Sequence, residues 1–156
     1  MSTSDQSRSQ QPDRTRRVIV GIDGSVRSRD ALTWAVTEAG LRGAELHAVT
    51  AWWVPGGYGD VWMVSPGVDY AAEAGKILDA ALVEALGPHE AQLVHRHLVE
   101  GNPANALIDL ATPQDLIVVG SHGHGGFVGA LIGSVSQRVA AHATCPVVIV
   151  RHPKEQ

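Results

Sequence analysis

The chain has one cysteine, Cys145, one phenylalanine, and no excess of basic residues. A lone thiol excludes an internal disulfide and a zinc site built on paired cysteines. Twelve Lys and Arg against sixteen Asp and Glu give a formal charge of −4, the wrong sign for a nucleic-acid binder with a basic face. The one basic cluster, Arg8, Arg14, Arg16 and Arg17, lies in or beside an expected tail. No apolar run reaches the roughly eighteen residues of a spanning helix, and the N-terminus has no apolar signal core. These absences predict a soluble, cytoplasmic protein without nucleic-acid or membrane partners. What remains is a chain of 156 residues, 44% of them hydrophobic, long enough for one domain with its own core.

Glycine, by contrast, is plentiful and concentrated. Six of the fourteen residues from Gly120 to Gly133 are glycine. The apolar run Leu116 to Val119 precedes them, and a helical pattern opening on Ser134 follows. A strand, a glycine-rich loop and a helix start, in that order, suit an anion. Glycine lets backbone N–H groups approach a phosphate, and the helix start adds donors and partial positive charge. A merely flexible surface loop is the competing reading, and the glycines' placement against a strand and a helix start disfavours it.

The rest of the chain supplies a frame for that loop. Residues 1–15 hold no aliphatic residue after Met1 and predict a disordered tail. A single domain is expected over 16–152, with a short tail at 153–156. Val18 to Ile22 reads as a strand buried on both faces, ending in the turn cluster Asp23-Gly24-Ser25. Leu32, Ala35, Val36 and Ala39 mark a helix that stops near Gly43. Glu45 to Ala51 is a second strand, followed by Trp52, Trp53 and a long loop to Gly67. A helix is expected from about Val68 to Leu86, then an edge-like third strand from Gln92 to Val99. Asn102-Pro103 caps a third helix carrying Leu107 and Ile108. Leu116 to Val119 is the fourth strand, Ser134 to about Ala143 the fourth helix, and Val147 to Val150 the fifth strand. Strands alternating with helices predict an α/β fold, a parallel sheet with helices on both faces. Ligands of such sheets bind beyond the carboxyl ends of the strands, where the order reverses. Asp23 and Gly120 meet in one crevice if the first and fourth strands are neighbours.

Two familiar phosphate templates fail. The Walker loop needs a lysine, and none lies between Lys76 and Lys154. The dinucleotide fingerprint would follow the first strand, where only Gly21-Ile22-Asp23-Gly24 stands. Ser134 reads as an N-cap, as a ligand of a terminal phosphate or Mg2+, or as both. Asp23 reads as the N-cap or turn former of the first helix that also faces ribose hydroxyls or a metal ion. His47, His89, His95, His97, His142 and His152 show no metal-ligand pattern, and Cys145 reads as a small buried hydrophobe. The tryptophans are expected to pack, with Trp52 or Trp53 at the border of the ligand pocket.

Gly120, Gly123 and Gly133-Ser134 form the spacing Gly-x2-Gly-x9-Gly-Ser. This resembles the ATP-binding signature of the universal stress protein family. The opening Val18-Ile19-Val20-Gly21-Ile22-Asp23-Gly24-Ser25 and the closing Cys145-Pro146-Val147-Val148-Ile149-Val150-Arg151 resemble that family too. The resemblance implies an open five-stranded parallel sheet of order 3-2-1-4-5 and an ATP ligand, with a divalent ion, Mg2+, often beside it. It implies that Gly21 and Asp23 lie near ribose and phosphates, and that backbone at Ala51 meets adenine. Gly120, Ser121, His122, Gly123 and His124, with Gly133, Ser134, Val135 and Ser136, would hold ribose and phosphates. Many family loops carry Arg or Lys where this chain has His122 and His124. Phosphate affinity is therefore expected to be weaker near about pH 7.5 than near about pH 6. The same order puts the apolar fifth strand at an edge, where the resemblance implies a homodimer. The functional expectation is an ATP-binding regulatory protein of stress response. Slow hydrolysis or phosphotransfer, or an interaction module without nucleotide, are the alternatives. No catalytic residue is expected; Arg138 is the cation nearest the loop.

Overall fold

The structure, a computed structural model, describes residues 16–54, 66–123 and 132–153. The expected N-terminal tail, most of the long loop after Trp53, and His124 lie outside the described residues. Five strands, β1 (Arg17–Gly21), β2 (Glu45–Trp52), β3 (His95–Glu100), β4 (Leu116–Gly120) and β5 (Val147–Val150), alternate with four helices. The helices are α1 (Val26–Arg42), α2 (Tyr70–Ala91), α3 (Pro103–Leu110) and α4 (Ser134–His142). All strand pairs are parallel and the order is β3-β2-β1-β4-β5, the α/β arrangement expected.

The sheet separates two apolar layers because side chains alternate along each strand. Val18 and Val20 of β1 and Ile22 just after it, with Leu116 and Val118 of β4, pack against Leu32 and Ala35 of α1 and Leu78 and Leu82 of α2. Ile19, Val49, Ile117 and Val119 face the other way, onto Ala104 and Leu107 of α3 and Val139 of α4. Strands covered on both faces need continuous apolar runs, and β1 and β4 have them. A buried ion pair closes the amino end of the sheet. Arg17 Nη2 reaches Asp115 Oδ2 at 2.5 Å and the Leu110 carbonyl at 2.9 Å.

Several boundaries differ from the sequence expectation, each for a local reason. Ser25 caps α1, its Oγ accepting from the Ser28 N–H at 3.2 Å. Asp23 instead shapes the turn before it, its Oδ1 accepting from the Ser25 N–H. Ser134 is the first residue of α4 rather than its cap; Gly133 holds the cap position, with no side chain to fill it. The α2 segment bends where its end was expected. Gly87 adopts φ 80° just before Pro88, and a last helical stretch continues to Ala91. Trp53 is 60% exposed rather than packed. No described helix is long and apolar enough to cross a membrane.

Candidate functional site

The carboxyl ends of β1 and β4 lie side by side, with Val18, Ile19 and Val20 in register with Leu116, Ile117 and Val118. The loops leaving them open into a crevice of about 950 Å³. Of the sequence-predicted residues, Gly21, Asp23, Ala51, Gly120, His122, Gly123, Gly133, Ser134, Val135 and Ser136 line it. Ser121 does not; it is buried beneath, its N–H bonded to the Val150 carbonyl at 2.8 Å.

The two ends of the glycine loop are tied together. Gly133 N–H donates to the Ser121 carbonyl at 2.6 Å. The buried Ser136 hydroxyl lies within hydrogen-bond reach of the Ser121 and Gly133 carbonyls, at 3.2 and 3.0 Å. Ser136 thus holds the loop's shape, and its backbone N–H belongs to the first turn of α4. The first-turn N–H groups of a helix, here those of Ser134, Val135 and Ser136, lack a partner within the helix itself. His122 is half-buried, its Nδ1 3.2 Å from the Ser121 hydroxyl.

Three of the loop's glycines, Gly120, Gly123 and Gly133, answer a specific close approach. A Cβ at Gly120 would lie 2.7 Å from the Arg27 carbonyl oxygen, so this glycine lets α1 start directly beneath the loop. At Gly133 it would lie 3.2 Å from His122 Cα, where the loop ends cross. At Gly123 it would run into Oδ2 of Asp23. The glycine loop and the Asp23 carboxylate therefore share one wall of the crevice.

Charge in the crevice is one-sided. Among the described lining residues the ionised side chains are Asp23 and Glu73, and no Lys or Arg is present. Arg138, the nearest cation by sequence, instead ties α4 to α3 through Asn105 Oδ1 at 3.0 Å. An anion here would be held by backbone dipoles and by any cation it brings. Apolar side chains also line the crevice, among them Val49, Trp52, Ile77 and Leu107. Trp52 and Trp53 both border the crevice.

The lining also includes residues without a sequence signal. Asn102 and Pro103 come from the start of α3, and Tyr70, Ala74 and Ile77 from α2. Thr50 is the most informative: it is 3% exposed, and its Oγ1 has no hydrogen-bond partner among the described residues. An orphaned hydroxyl in a crevice wall is costly unless something bonds to it. Only the position at the end of β2 could have pointed to it.

A second cluster lies at the other end of β2, where the strand register gathers histidines that show no ligand spacing along the sequence. His47 pairs in register with His95, and His97 follows two residues along β3 on the same face. The His47 ring stacks on both, with centroids 4.4 and 5.1 Å apart. Glu45 Oε2 lies 3.4 Å from His47 Nε2. Burial pushes the His47 and His97 pKa values down, so both rings favour the neutral form. Cys145 is buried and its thiol is pushed up by that burial, as a packing residue should be.

Comparison with known proteins agrees with the fold. The chain is 41% identical over 138 residues to a universal stress protein of Mycolicibacterium smegmatis, an alignment taking in 86% of this chain and 45% of that one. The chain thus spans about half the length of the curated relatives it matches. A universal stress protein solved in complex with cAMP superimposes with a TM-score of 0.64 at 32% identity, over 88% of this chain and 97% of that one. UspA from Lactobacillus plantarum does so with a TM-score of 0.61 at 25% identity, over 88% and 99%. The universal stress protein family itself matches across residues 14–151, and this chain belongs to it.

Proposed function

We propose that the crevice binds an adenine nucleotide, with ATP and Mg2+ the leading candidate, and that binding serves a regulatory role in the cytoplasmic stress response. The observation that carries this reading is the meeting of the glycine loop, the open first turn of α4 and the Asp23 carboxylate at the carboxyl ends of β1 and β4. Backbone N–H groups from Gly123 and from Ser134 to Ser136 suit phosphate oxygens. Asp23, with Gly21 beside it, suits ribose hydroxyls, and backbone at Ala51 suits the base. The apolar lining residues Val49, Trp52 and Ile77 suit a purine. The cAMP complex of the 32% identical family member supports an adenine ligand.

The missing Lys and Arg sharpen the choice among nucleotides. Three phosphates bring more charge than backbone dipoles alone offset, so ATP would need its divalent ion, held at Asp23 and Ser134. The ion would supply charge neutralisation. A monophosphate would need no ion. The same one-sided charge disfavours rapid phosphoryl transfer, which depends on cationic stabilisation of the moving group. Slow hydrolysis is the most that is expected.

The half-buried, apolar β5 pairs with β4 and forms one edge of the sheet. An edge of this kind is an association surface, and we assign the homodimer to it. The functional reading is tested by denaturing the purified protein and analysing what it releases. Adenine nucleotide near one per chain is the expected result. If none is released, and titration with Mg-ATP, AMP and cAMP yields no saturable binding, the reading fails.

A further inference from the structure

The histidine cluster at the amino end of β2 has the makings of a metal site remote from the crevice. Four residues along β2 separate His47 from Ala51, about 13 Å at ~3.3 Å per residue. Glu45, His47 and His95 each offer one ligand atom, and these atoms lie within 4.8 Å of one another. Glu45 Oε2 is 3.4 Å from His47 Nε2 and 4.0 Å from His95 Nε2. Ligands around one ion at bonds of ~2.0–2.2 Å sit roughly 3.3 Å apart, so binding needs a contraction of up to about 1.5 Å and a turn of the His95 ring out of its stack on His47. Glu45 and His95 are exposed and can supply that movement, while His47 is buried and fixed.

The fixing of His47 is the stronger argument. Its Nδ1 lies 2.9 Å from His97 Nε2. When His97 accepts, the His47 proton sits on Nδ1 and the lone pair of Nε2 points at Glu45 and His95. Metal-bound histidines usually have their other nitrogen engaged in this way. The nearby guanidinium of Arg17 is held by Asp115, which offsets its repulsion of a cation. Register also contributes: a parallel pair sets His47 beside His95, and His95-x-His97 puts two imidazoles on one face of β3.

We propose that Glu45, His47 and His95 bind a borderline divalent transition-metal ion, Zn2+ being the type, with His97 as the positioning residue for His47. Two imidazoles and one carboxylate match the ligand preference of such ions. The remaining coordination position faces solvent, and the ion would tie β2 to the edge strand β3.

The test uses the full chain without an affinity tag, stripped by chelator and free of nucleotide. Zn2+ binding is followed by calorimetry, and Co2+ binding by its visible ligand-field bands. One ion per chain is expected, with affinity reduced at least about tenfold in the exposed-site variants Glu45→Gln and His95→Gln. His97→Gln should weaken binding about 10-fold to 100-fold while keeping the Co2+ bands of the intact ligand set. No saturable binding would overturn the proposal. So would a site whose affinity and Co2+ spectrum are unchanged in Glu45→Gln and His95→Gln, because the ion would then sit on other histidines.

Discussion

A Cβ at position 123 and the Asp23 carboxylate compete for one place, which makes their coupling measurable. Gly123→Ala should turn Asp23 aside and weaken nucleotide binding by about tenfold, about 1.4 kcal/mol. In an Asp23→Ala background the same change should cost much less, since the obstructed atoms are gone. Calorimetric titration of the four proteins checks this, and strictly additive losses would contradict it. Thr50→Val removes the orphaned hydroxyl at nearly constant volume. Thermal stability should hold or rise, because a buried unpaired hydroxyl is removed, and a clear fall in melting temperature would contradict the orphaned state. Gly120→Ala is a different kind of change. Its Cβ would lie 2.7 Å from backbone at Arg27, so the expected effect is a loss of stability of about 1–3 kcal/mol in a denaturant melt.

At the scale of elements, strands and helix stripes were legible because burial on both faces leaves a continuous apolar signature. The runs Val18 to Ile22 and Leu116 to Val119, and the full extent of β5, needed nothing beyond that. Ends were harder, because they depend on which of several adjacent groups makes the capping bond. Asp23, Ser25 and Ser134 all have capping chemistry, and the turn geometry gives the cap to Ser25 and Gly133. Thr50 and the histidine cluster were illegible for another reason: they depend on register between strands distant in sequence. Gly40 shows the opposite of the loop glycines. It sits inside α1, and a methyl group added there would meet nothing within 4 Å, so Gly40→Ala should stabilise by about 0.5–1 kcal/mol. The Arg17–Asp115 pair gives a pH dependence. Burial opposes ionisation of Asp115, but donors from Arg17 and Thr112 outweigh it and hold the carboxyl at about 2, below the ordinary 3.8. A depressed carboxyl contributes stability above its unfolded value and loses it as pH falls through the folded one. About 2 kcal/mol should therefore disappear between about pH 4 and pH 2. Urea melts across that window should show this slope in the wild type and not in Asp115→Asn.

Taken whole, the molecule divides its chemistry between the two ends of one sheet. The carboxyl ends of β1 and β4 carry the crevice proposed to take a nucleotide, the amino ends of β2 and β3 carry the histidine cluster, and β5 forms the edge assigned to self-association. Because β5 is apolar and at an edge, Ile149→Lys should convert a dimer to a monomer in sedimentation. A monomeric wild type at micromolar concentration would defeat the dimer. The overall order 3-2-1-4-5 was reachable from the motif resemblance, and the adjacency of β1 and β4 brings Asp23 to Gly123. Whether this meeting point is a nucleotide site is decided most directly by a calorimetric titration of the stripped protein with Mg-ATP, AMP and cAMP, run beside Gly123→Val. Saturable binding of at least one of them is predicted, one per chain, lost in a variant that keeps its fold by circular dichroism. Equal binding by both proteins, or none by the wild type, would contradict it.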